Sequence, residues 1–185
     1  MDETLKRKLV VVGDGGCGKT CLLTVFANNE FPEEHVPTIF DTYIKSVTFG
    51  KTHFSLVLSD TAGEEDYDRL RPLSYSNSDV VLICFAIDNP DSLCNVKLKW
   101  FPEIRHFLRY VPYILVGTKV DRRDRIPEKC VNYEEGLKVS KQIRANAYME
   151  CSAKFCSGIR PIFEEASLLA LKPRKKAYLR ECTFM

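Results

Sequence analysis

The sequence has no long hydrophobic run, almost no net charge and no apolar stretch at its N-terminus. Its longest apolar run, residues 80–87, has eight residues, well short of the roughly 20 that a membrane-spanning helix needs. The 27 basic and 25 acidic residues leave a net charge of +2, which is too small to favour nucleic-acid binding. Residues 1–4 are charged and polar, so we expect no secretory signal.

The eight cysteines include no C-x-x-C pair and have no histidine at ligand spacing. This argues against a zinc site and against a disulfide framework, and we expect reduced thiols in a cytosolic protein. With 185 residues, of which 45% are hydrophobic, the chain is long enough for one compact domain with its own core.

Short apolar or β-branched runs alternate with helical stretches. The predicted strands are 8–12, 43–49, 54–59, 80–86, 113–117 and 148–151, and the predicted helices are 19–27, 92–107, 133–144 and 159–171. A turn at residues 50–52 makes the second and third strands an antiparallel hairpin at the sheet edge. Right-handed crossovers then give an α/β fold with a six-stranded, mostly parallel sheet and helices on both faces. Ligands of such sheets bind beyond the carboxyl ends of the strands.

A glycine-rich stretch follows the first predicted strand. Residues 13–20 (GDGGCGKT) fit the pattern G-x-x-x-x-G-K-[ST]. A loop of this kind before a helix points several backbone N–H groups at one concavity, at the positive end of the helix dipole. We predict a phosphate-binding loop, or P-loop, in which Lys19 reaches the terminal phosphates and the Thr20 hydroxyl ligates Mg²⁺. Its other predicted binding residues are Gly15, Gly16, Cys17, Gly18 and Cys21. The alternative is an ordinary glycine turn before a helix.

Asp60, Thr61, Ala62 and Gly63 follow the third predicted strand. A carboxylate there can hold the hydration shell of Mg²⁺, and a glycine can bring its N–H close to a γ-phosphate with no Cβ in the way. Taken alone, this tetrapeptide is a common turn. Its distance from the P-loop favours the metal-binding interpretation.

Two further segments end strands with polar residues. The Asp121 carboxylate can accept two hydrogen bonds from the N1–H and 2-amino group of guanine, and the Lys119 stem can lie along the base plane. The second segment supplies backbone donors for guanine O6. The predicted base-binding residues are Thr118, Lys119, Asp121, Ser152, Ala153 and Lys154. Neither segment is specific alone, since a charged turn after a strand is frequent, but together they predict a guanine nucleotide.

Three longer segments resemble those of one protein family. Residues 66–75 (DYDRLRPLSY) are similar to the switch II sequence of Rho-family GTPases, residues 100–107 (WFPEIRHF) to their third helix, and residues 36–40 (VPTIF) to their switch I. With the motifs above, the whole chain resembles a small GTPase of the Ras superfamily, and within it the Rho family.

The resemblance implies a P-loop NTPase fold and a GTP/GDP switch, monomeric, that uses Mg²⁺ and hydrolyses GTP to GDP and phosphate. It implies that Thr38 ligates Mg²⁺ only when the γ-phosphate is present and that Phe31 packs against the base. The catalytic residues it implies are Lys19, Thr38, Gly63 and Glu64. Effectors, by family in actin cytoskeleton control, would contact Val36, Pro37, Ile39, Phe40, Asp41, Tyr67, Arg69 and Leu70. Exchange factors, activating proteins and dissociation inhibitors are the other expected partners.

The sequence departs from the family at three places. Glu64 stands where the family has glutamine, which puts efficient hydrolysis in question, because a carboxylate accepts hydrogen bonds but cannot donate toward the phosphoryl group. His35 replaces the usual switch I tyrosine, or is simply an exposed loop histidine. Only twelve residues separate Asp121 from Glu134, too few for the extra helix that Rho proteins usually insert there.

The C-terminal residues predict a membrane tether. We expect a GTPase domain over residues 1–172 and a basic tail over 173–185, where Pro173 ends the helical pattern. Cys182 lies four residues from the end of this sequence and fits C-a-a-X, with the terminal Met185 favouring a farnesyl group. The basic residues beside it would add attraction to anionic lipid. The predicted location is the cytoplasmic side of the plasma membrane, with a cytosolic pool. The alternative is a cysteine there by chance.

Two functions remain open on these residues. The first is a membrane-tethered, Rho-like GTPase of weak intrinsic activity. The second is a binding module that keeps GTP bound nearly permanently and serves as a platform for effectors. Glu64 is the residue that separates them. A small-molecule kinase is a distant third, because the chain has Thr118 to Asp121 where a lid and an acceptor site would be needed.

Overall fold

The computed structural model describes residues 5–32, 38–49 and 52–173. Its strands are β1 (Lys6–Gly13), β2 (Phe40–Phe49), β3 (Thr52–Thr61), β4 (Val80–Ala86), β5 (Tyr113–Thr118) and β6 (Ala147–Glu150). They form one sheet in the order β2-β3-β1-β4-β5-β6. Only the β2–β3 pair is antiparallel, so the predicted six-stranded P-loop fold with an antiparallel edge strand is confirmed. The predicted turn residues Gly50 and Lys51 lie outside the described residues.

The helices cover both faces of the sheet. They are α1 (Lys19–Asn28), α2 (Pro90–Asn95), α3 (Phe101–Phe107), α4 (Tyr133–Ile143) and α5 (Ile159–Leu171). Alternate residues of β1 point to opposite faces, as strand geometry requires. Leu9 and Val11 pack with α1 and α5 in one core, and Val10 and Val12 pack with α2, α3 and α4 in the other.

The structure corrects the prediction of one regular helix over 92–107. Helix α2 begins at Pro90, after the N-cap residue Asn89, whose side chain accepts a hydrogen bond from the Asp91 backbone. A π-helical segment, Val96–Trp100, separates α2 from α3. Its cause is Pro102, which has no N–H to donate to the carbonyl four residues earlier and whose ring crowds that carbonyl.

The span between β5 and α4 has no long helix. Two short 3-10 turns, Val120–Arg122 and Pro127–Lys129, occupy this fully described stretch. Helix α4 then starts at a capping box. The Glu135 backbone N–H donates to the Asn132 side chain, and the Asn132 backbone N–H donates to the Glu135 side chain. The compact connection agrees with the expectation that the insertion typical of Rho proteins is missing here.

The parallel strands all end at one edge of the sheet, and the segments that follow them meet there. These segments start at Asp14 after β1, Ala62 after β3, Ile87 after β4, Lys119 after β5 and Cys151 after β6. No helix among residues 5–32, 38–49 and 52–173 is long and apolar enough to cross a bilayer.

Candidate functional site

The P-loop curves around the ammonium group of Lys19. Gly18 is the N-cap of α1 and has φ 88°, a left-handed conformation that an L-residue with a Cβ adopts only with strain. Lys19 is buried, and its Nζ donates hydrogen bonds to the carbonyls of Gly13 and Asp14, both at 2.8 Å. The loop therefore holds a positive charge at the floor of a concavity at the start of a helix, the arrangement that binds phosphate.

A small pocket lies over this loop and joins residues from three separate segments. It is lined by Gly15, Gly16, Gly18, Lys19, Thr20, Cys21, Thr38, Thr61, Gly63 and Glu64. All of these except Thr61 were predicted as site residues, Thr38 and Glu64 from the family resemblance and the others from their motifs. The side chain of Cys17 points away into the core, with its Sγ near the carbonyl of Cys84, so only its backbone can take part.

The three predicted magnesium ligands meet beside the pocket. The hydroxyls of Thr20 and Thr38 are 2.8 Å apart. Asp60 is fully buried, and neither carboxylate oxygen has a hydrogen-bond partner among the described residues. Burial raises the pKa of Asp60, although the Thr20 hydroxyl and the charge of Lys19 oppose the rise. An unpartnered buried carboxylate next to two hydroxyls fits Mg²⁺, which prefers oxygen ligands.

Protein side chains alone do not complete this site. Among the described residues, no three His, Cys, Asp or Glu side chains are grouped closely enough to hold a metal ion. The remaining ligands would be phosphate oxygens and water, as is usual for Mg²⁺ at nucleotide sites.

The Asp60→Asn variant tests this assignment without requiring activity. In the folded chain the charged form of Asp60 is disfavoured, and leaving a buried group unsatisfied costs about 1 to 3 kcal/mol. We expect the variant to unfold at a higher temperature than the natural protein in EDTA, and Mg²⁺ added with GDP to stabilise only the natural protein. Asp91→Asn, which changes an exposed carboxylate in α2, is the control. An equal response of Asp60→Asn and the natural protein to Mg²⁺ would contradict the assignment.

Gly63 packs directly on the P-loop. A Cβ built there would lie 2.3 Å from the backbone nitrogen of Gly15 and 2.4 Å from the carbonyl oxygen of Gly13. Only glycine allows this approach, as its predicted role near the γ-phosphate requires. Glu64 follows with an exposed side chain that lines the pocket.

A larger cavity of about 260 Å³ continues from the P-loop. Its lining includes the predicted base-binding residues Phe31, Thr118, Lys119, Asp121, Ala153 and Lys154. Ser152 does not line it, but its Oγ donates a hydrogen bond of 2.6 Å to Asp121 Oδ1 and so orients that carboxylate. The ammonium of Lys119 lies 3.4 Å from Asp88 Oδ1, a partner that the sequence motifs did not indicate.

Thr118 connects the base-binding segment to the P-loop. Its buried Oγ1 lies 2.5 Å from the carbonyl oxygen of Cys17 in the P-loop and 3.0 Å from that of Phe85 in β4. Gly18 faces the same side chain, since a Cβ there would be 3.6 Å from Thr118 Oγ1. The P-loop and the base-binding segment are therefore tied together by one hydroxyl.

An apolar groove of about 350 Å³ lies next to the phosphate pocket. Four predicted effector-binding residues line it, Ile39, Phe40, Tyr67 and Leu70, together with Leu73. Asp41 and Arg69 lie outside the groove lining, Asp41 on β2 and Arg69 exposed. The predicted residues Val36 and Pro37, and also His35, fall outside the described residues.

Three residues that the motifs did not single out connect to the site from outside the two cavities. The side chain of Arg71 is fully buried and bonds to the backbone of the turn that carries Glu64. Asp14 and Trp100 are hydrogen-bonded to each other although they are 86 residues apart. One signal could have indicated Trp100, because it is the chain's only tryptophan.

The fold and the pocket define an α/β protein that binds a nucleotide through a P-loop. The model of one protein family, described as the Ras family, matches residues 8–172. The chain therefore belongs to the Ras family, the small GTPases that bind guanine nucleotide, typically with Mg²⁺, and act as GTP-hydrolysing switches.

Proposed function

We propose that this Ras-family protein is a Rho-like GTPase that switches between GDP and GTP with slow hydrolysis, and that a lipid on Cys182 tethers it to a membrane. The observation that carries the switch is that Lys19, Thr20 and Thr38 line one pocket, with the buried Asp60 beside Thr20. Support for the Rho assignment comes from the sequences of residues 66–75 and 100–107.

The proposed mechanism assigns each of these residues one task. Lys19 neutralises phosphate charge from the floor of the P-loop, and the N–H of Gly63 faces the γ-phosphate. Thr20, Thr38 and Asp60 would hold Mg²⁺, which when bound would neutralise the negative charge that develops on the phosphate oxygens. Because Thr38 belongs to both the metal site and the chain leading into β2, loss of the γ-phosphate releases that chain.

Glu64 lies at the position from which the attacking water would be oriented. A carboxylate can accept a hydrogen bond from that water, but it places a negative charge beside the phosphate oxygens and cannot donate to them. Hydrolysis is therefore slow, and the GTP-bound state lasts long. The second candidate function is a platform that holds GTP almost permanently, and it would result if Glu64 slowed hydrolysis almost completely.

The effector surface in this proposal is the groove lined by Ile39, Phe40, Tyr67, Leu70 and Leu73. Ile39, Phe40, Leu70 and Leu73 are each more than half exposed, which is unusual for neighbouring large apolar side chains and typical of interaction sites. The groove lining includes Ile39, which follows Thr38 in the chain, and Arg71, which bonds the Glu64 carbonyl, so a change of nucleotide would alter its shape.

The experiment that tests the Rho assignment compares two activating domains. Single-turnover hydrolysis of loaded GTP is measured for the natural protein alone, with a Rho-type activating domain and with a Ras-type domain. We expect measurable slow hydrolysis alone and a greater acceleration by the Rho-type domain. Acceleration by the Ras-type domain only would contradict the assignment, and no hydrolysis under any condition would favour the platform.

The tether is tested by the Cys182→Ser variant in cells. One lipid chain binds membranes only marginally, and each basic residue near an anionic leaflet adds on the order of 1 kcal/mol. We expect Cys182→Ser to move to the cytosol, and neutralisation of Arg174, Lys175 and Lys176 to weaken membrane binding in a salt-dependent way. Cys94→Ser, at an exposed cysteine of α2, is the control. Cys182→Ser protein in the membrane fraction would rule out the lipid.

A further inference from the structure

The second residue of the P-loop is held by side chains from across the domain. Both carboxylate oxygens of Asp14 accept a hydrogen bond, Oδ2 from Asn95 Nδ2 at 2.8 Å and Oδ1 from Trp100 Nε1 at 2.6 Å. The carbonyl of Asp14 accepts a third hydrogen bond from Lys19. The residue thus connects the phosphate-binding lysine to the helical stretch 90–107.

The π-helical segment makes this double contact possible. In an α-helix with 3.6 residues per turn, residues five apart, such as Asn95 and Trp100, point about 140° away from each other. A π-helix bonds residues five apart and brings their side chains toward the same direction. Pro102 forces this local geometry, so the irregularity of the helix is what aims both donors at Asp14.

Trp100 contacts Arg71 on its other side. The guanidinium carbon of Arg71 lies 4.6 Å from the centroid of the Trp100 ring. The side chain of Arg71 is fully buried and donates hydrogen bonds to Ala62 O at 2.7 Å, Glu64 O at 3.1 Å, Asp68 Oδ1 at 2.6 Å and Glu103 Oε2 at 2.9 Å. A continuous series of contacts thus runs from the backbone at Glu64 through Arg71 and Trp100 to Asp14.

We propose that Asp14 and Trp100 are positioning residues that fix the P-loop relative to the turn carrying Glu64, so that nucleotide retention depends on the Asp14–Trp100 hydrogen bond. Asp14 does not line the phosphate pocket, and both of its carboxylate oxygens accept hydrogen bonds from the two donors. The proposal rests on guanine-nucleotide binding for its kinetic readout, but the Asp14–Trp100 contact can be measured without nucleotide.

The experiment compares Asp14→Ala, Asp14→Asn, Trp100→Phe and the control Asp91→Ala in the full chain. Release of fluorescent GDP in Mg²⁺ buffer is the first readout, and the emission of the sole tryptophan is the second. We expect Asp14→Ala to release GDP at least tenfold faster and to shift Trp100 emission, because the indole N–H loses its acceptor. The GDP release rate of Asp14→Asn should fall between those of Asp14→Ala and the natural protein. The Asn95 amide can flip, so that its oxygen accepts a hydrogen bond from the amide introduced at position 14. Asp91→Ala should match the natural protein.

Trp100→Phe keeps an aromatic ring beside Arg71 and removes the N–H donor, although it also leaves some volume unfilled at this buried position. If the bond acts as proposed, Trp100→Phe also speeds release, and the Asp14→Ala/Trp100→Phe double variant releases GDP much more slowly than the product of the two single effects predicts. Effects that multiply, or natural release rates in both single variants, overturn the proposal. Unchanged Trp100 emission in Asp14→Ala overturns it as well, whether or not GDP binds. Failure of the natural protein to hold GDP would instead count against the proposed function. If Asp14→Ala does not fold, the release of GDP is measured with Trp100→Phe and Asn95→Ala instead.

Discussion

Glu64→Gln is expected to hydrolyse GTP roughly ten- to a hundredfold faster than the natural protein, a difference of about 1 to 3 kcal/mol in the barrier. The amide of glutamine can accept from the attacking water and also donate toward the transferring phosphoryl group. The carboxylate only accepts, and the phosphate oxygens repel it. Because the phosphoryl transition state is loose, early removal of a proton from water contributes little, so a carboxylate base does not compensate.

The structure leaves room for the Glu64 side chain to move away from the phosphate oxygens. The Glu64 side chain is exposed, and its Cγ lies 3.5 Å from the position of a Cβ on Gly15. It can therefore rotate outward into solvent without disturbing the backbone, which Arg71 holds at the Glu64 carbonyl. Nucleotide affinity should hardly change, since this rotation leaves the P-loop intact.

Single-turnover hydrolysis of both proteins, with and without a Rho-type activating domain, is the measurement. Glu65→Gln is the matched control, because Glu65 is adjacent and exposed but outside the phosphate pocket. An arginine supplied by the activating domain should accelerate the Gln protein more than the natural one. Equal rates would make Glu64 a neutral substitution. A faster natural protein would mean that the carboxylate acts as a base and that the proposed mechanism is wrong.

Asp121→Asn is expected to weaken GTP binding and to strengthen binding of XTP. Loss of the paired acceptor leaves two donors of guanine unsatisfied, at a cost of a few kcal/mol, or about a hundredfold or more in affinity. The new amide group can donate to the 2-oxo group of xanthine instead. In the structure Asp121 Oδ1 accepts from Ser152 Oγ, and the amide oxygen of asparagine can keep that bond, so the variant retains the orientation of the side chain.

Competition of GTP and XTP against fluorescent GDP measures this change. Asp124→Asn is the control, because it removes an exposed carboxylate three residues away that does not line the cavity. If Asp121→Asn kept full GTP affinity and still rejected XTP, the guanine assignment would be wrong.

The sequence predicted the fold and the pocket lining because both depend on local patterns. A β-branched strand before GDGGCGKT fixes the P-loop, and the motifs at the ends of β3, β5 and β6 meet it because parallel strands end at the same edge. The roles of Glu64, Thr38 and Asp121 stay predictions, since the described geometry brings these residues to the pocket but does not measure what they do.

The contacts of Asp14 and Arg71 could not be predicted in the same way. They join residues far apart in the chain, and no spacing rule connects a loop aspartate with a tryptophan on a helix. Their geometry also depends on a π-helical segment that the apolar periodicity of 92–107 does not reveal. Pro102 was the available signal, because proline inside a helical pattern disturbs the preceding turn.

The contacts of the Thr118 hydroxyl bear on how long a nucleotide stays bound. Because it ties the P-loop to the base-binding segment, the phosphate end and the base end of a nucleotide would contact segments that are already joined, and less conformational entropy would be lost on binding. A preorganised surface of this kind favours long residence of the bound nucleotide. Departure then requires a movement elsewhere, at Phe31, at the Lys119–Asp88 ion pair or at the turn beneath Glu64. A partner that loosens any of these three contacts would therefore shorten the interval between nucleotide exchange events.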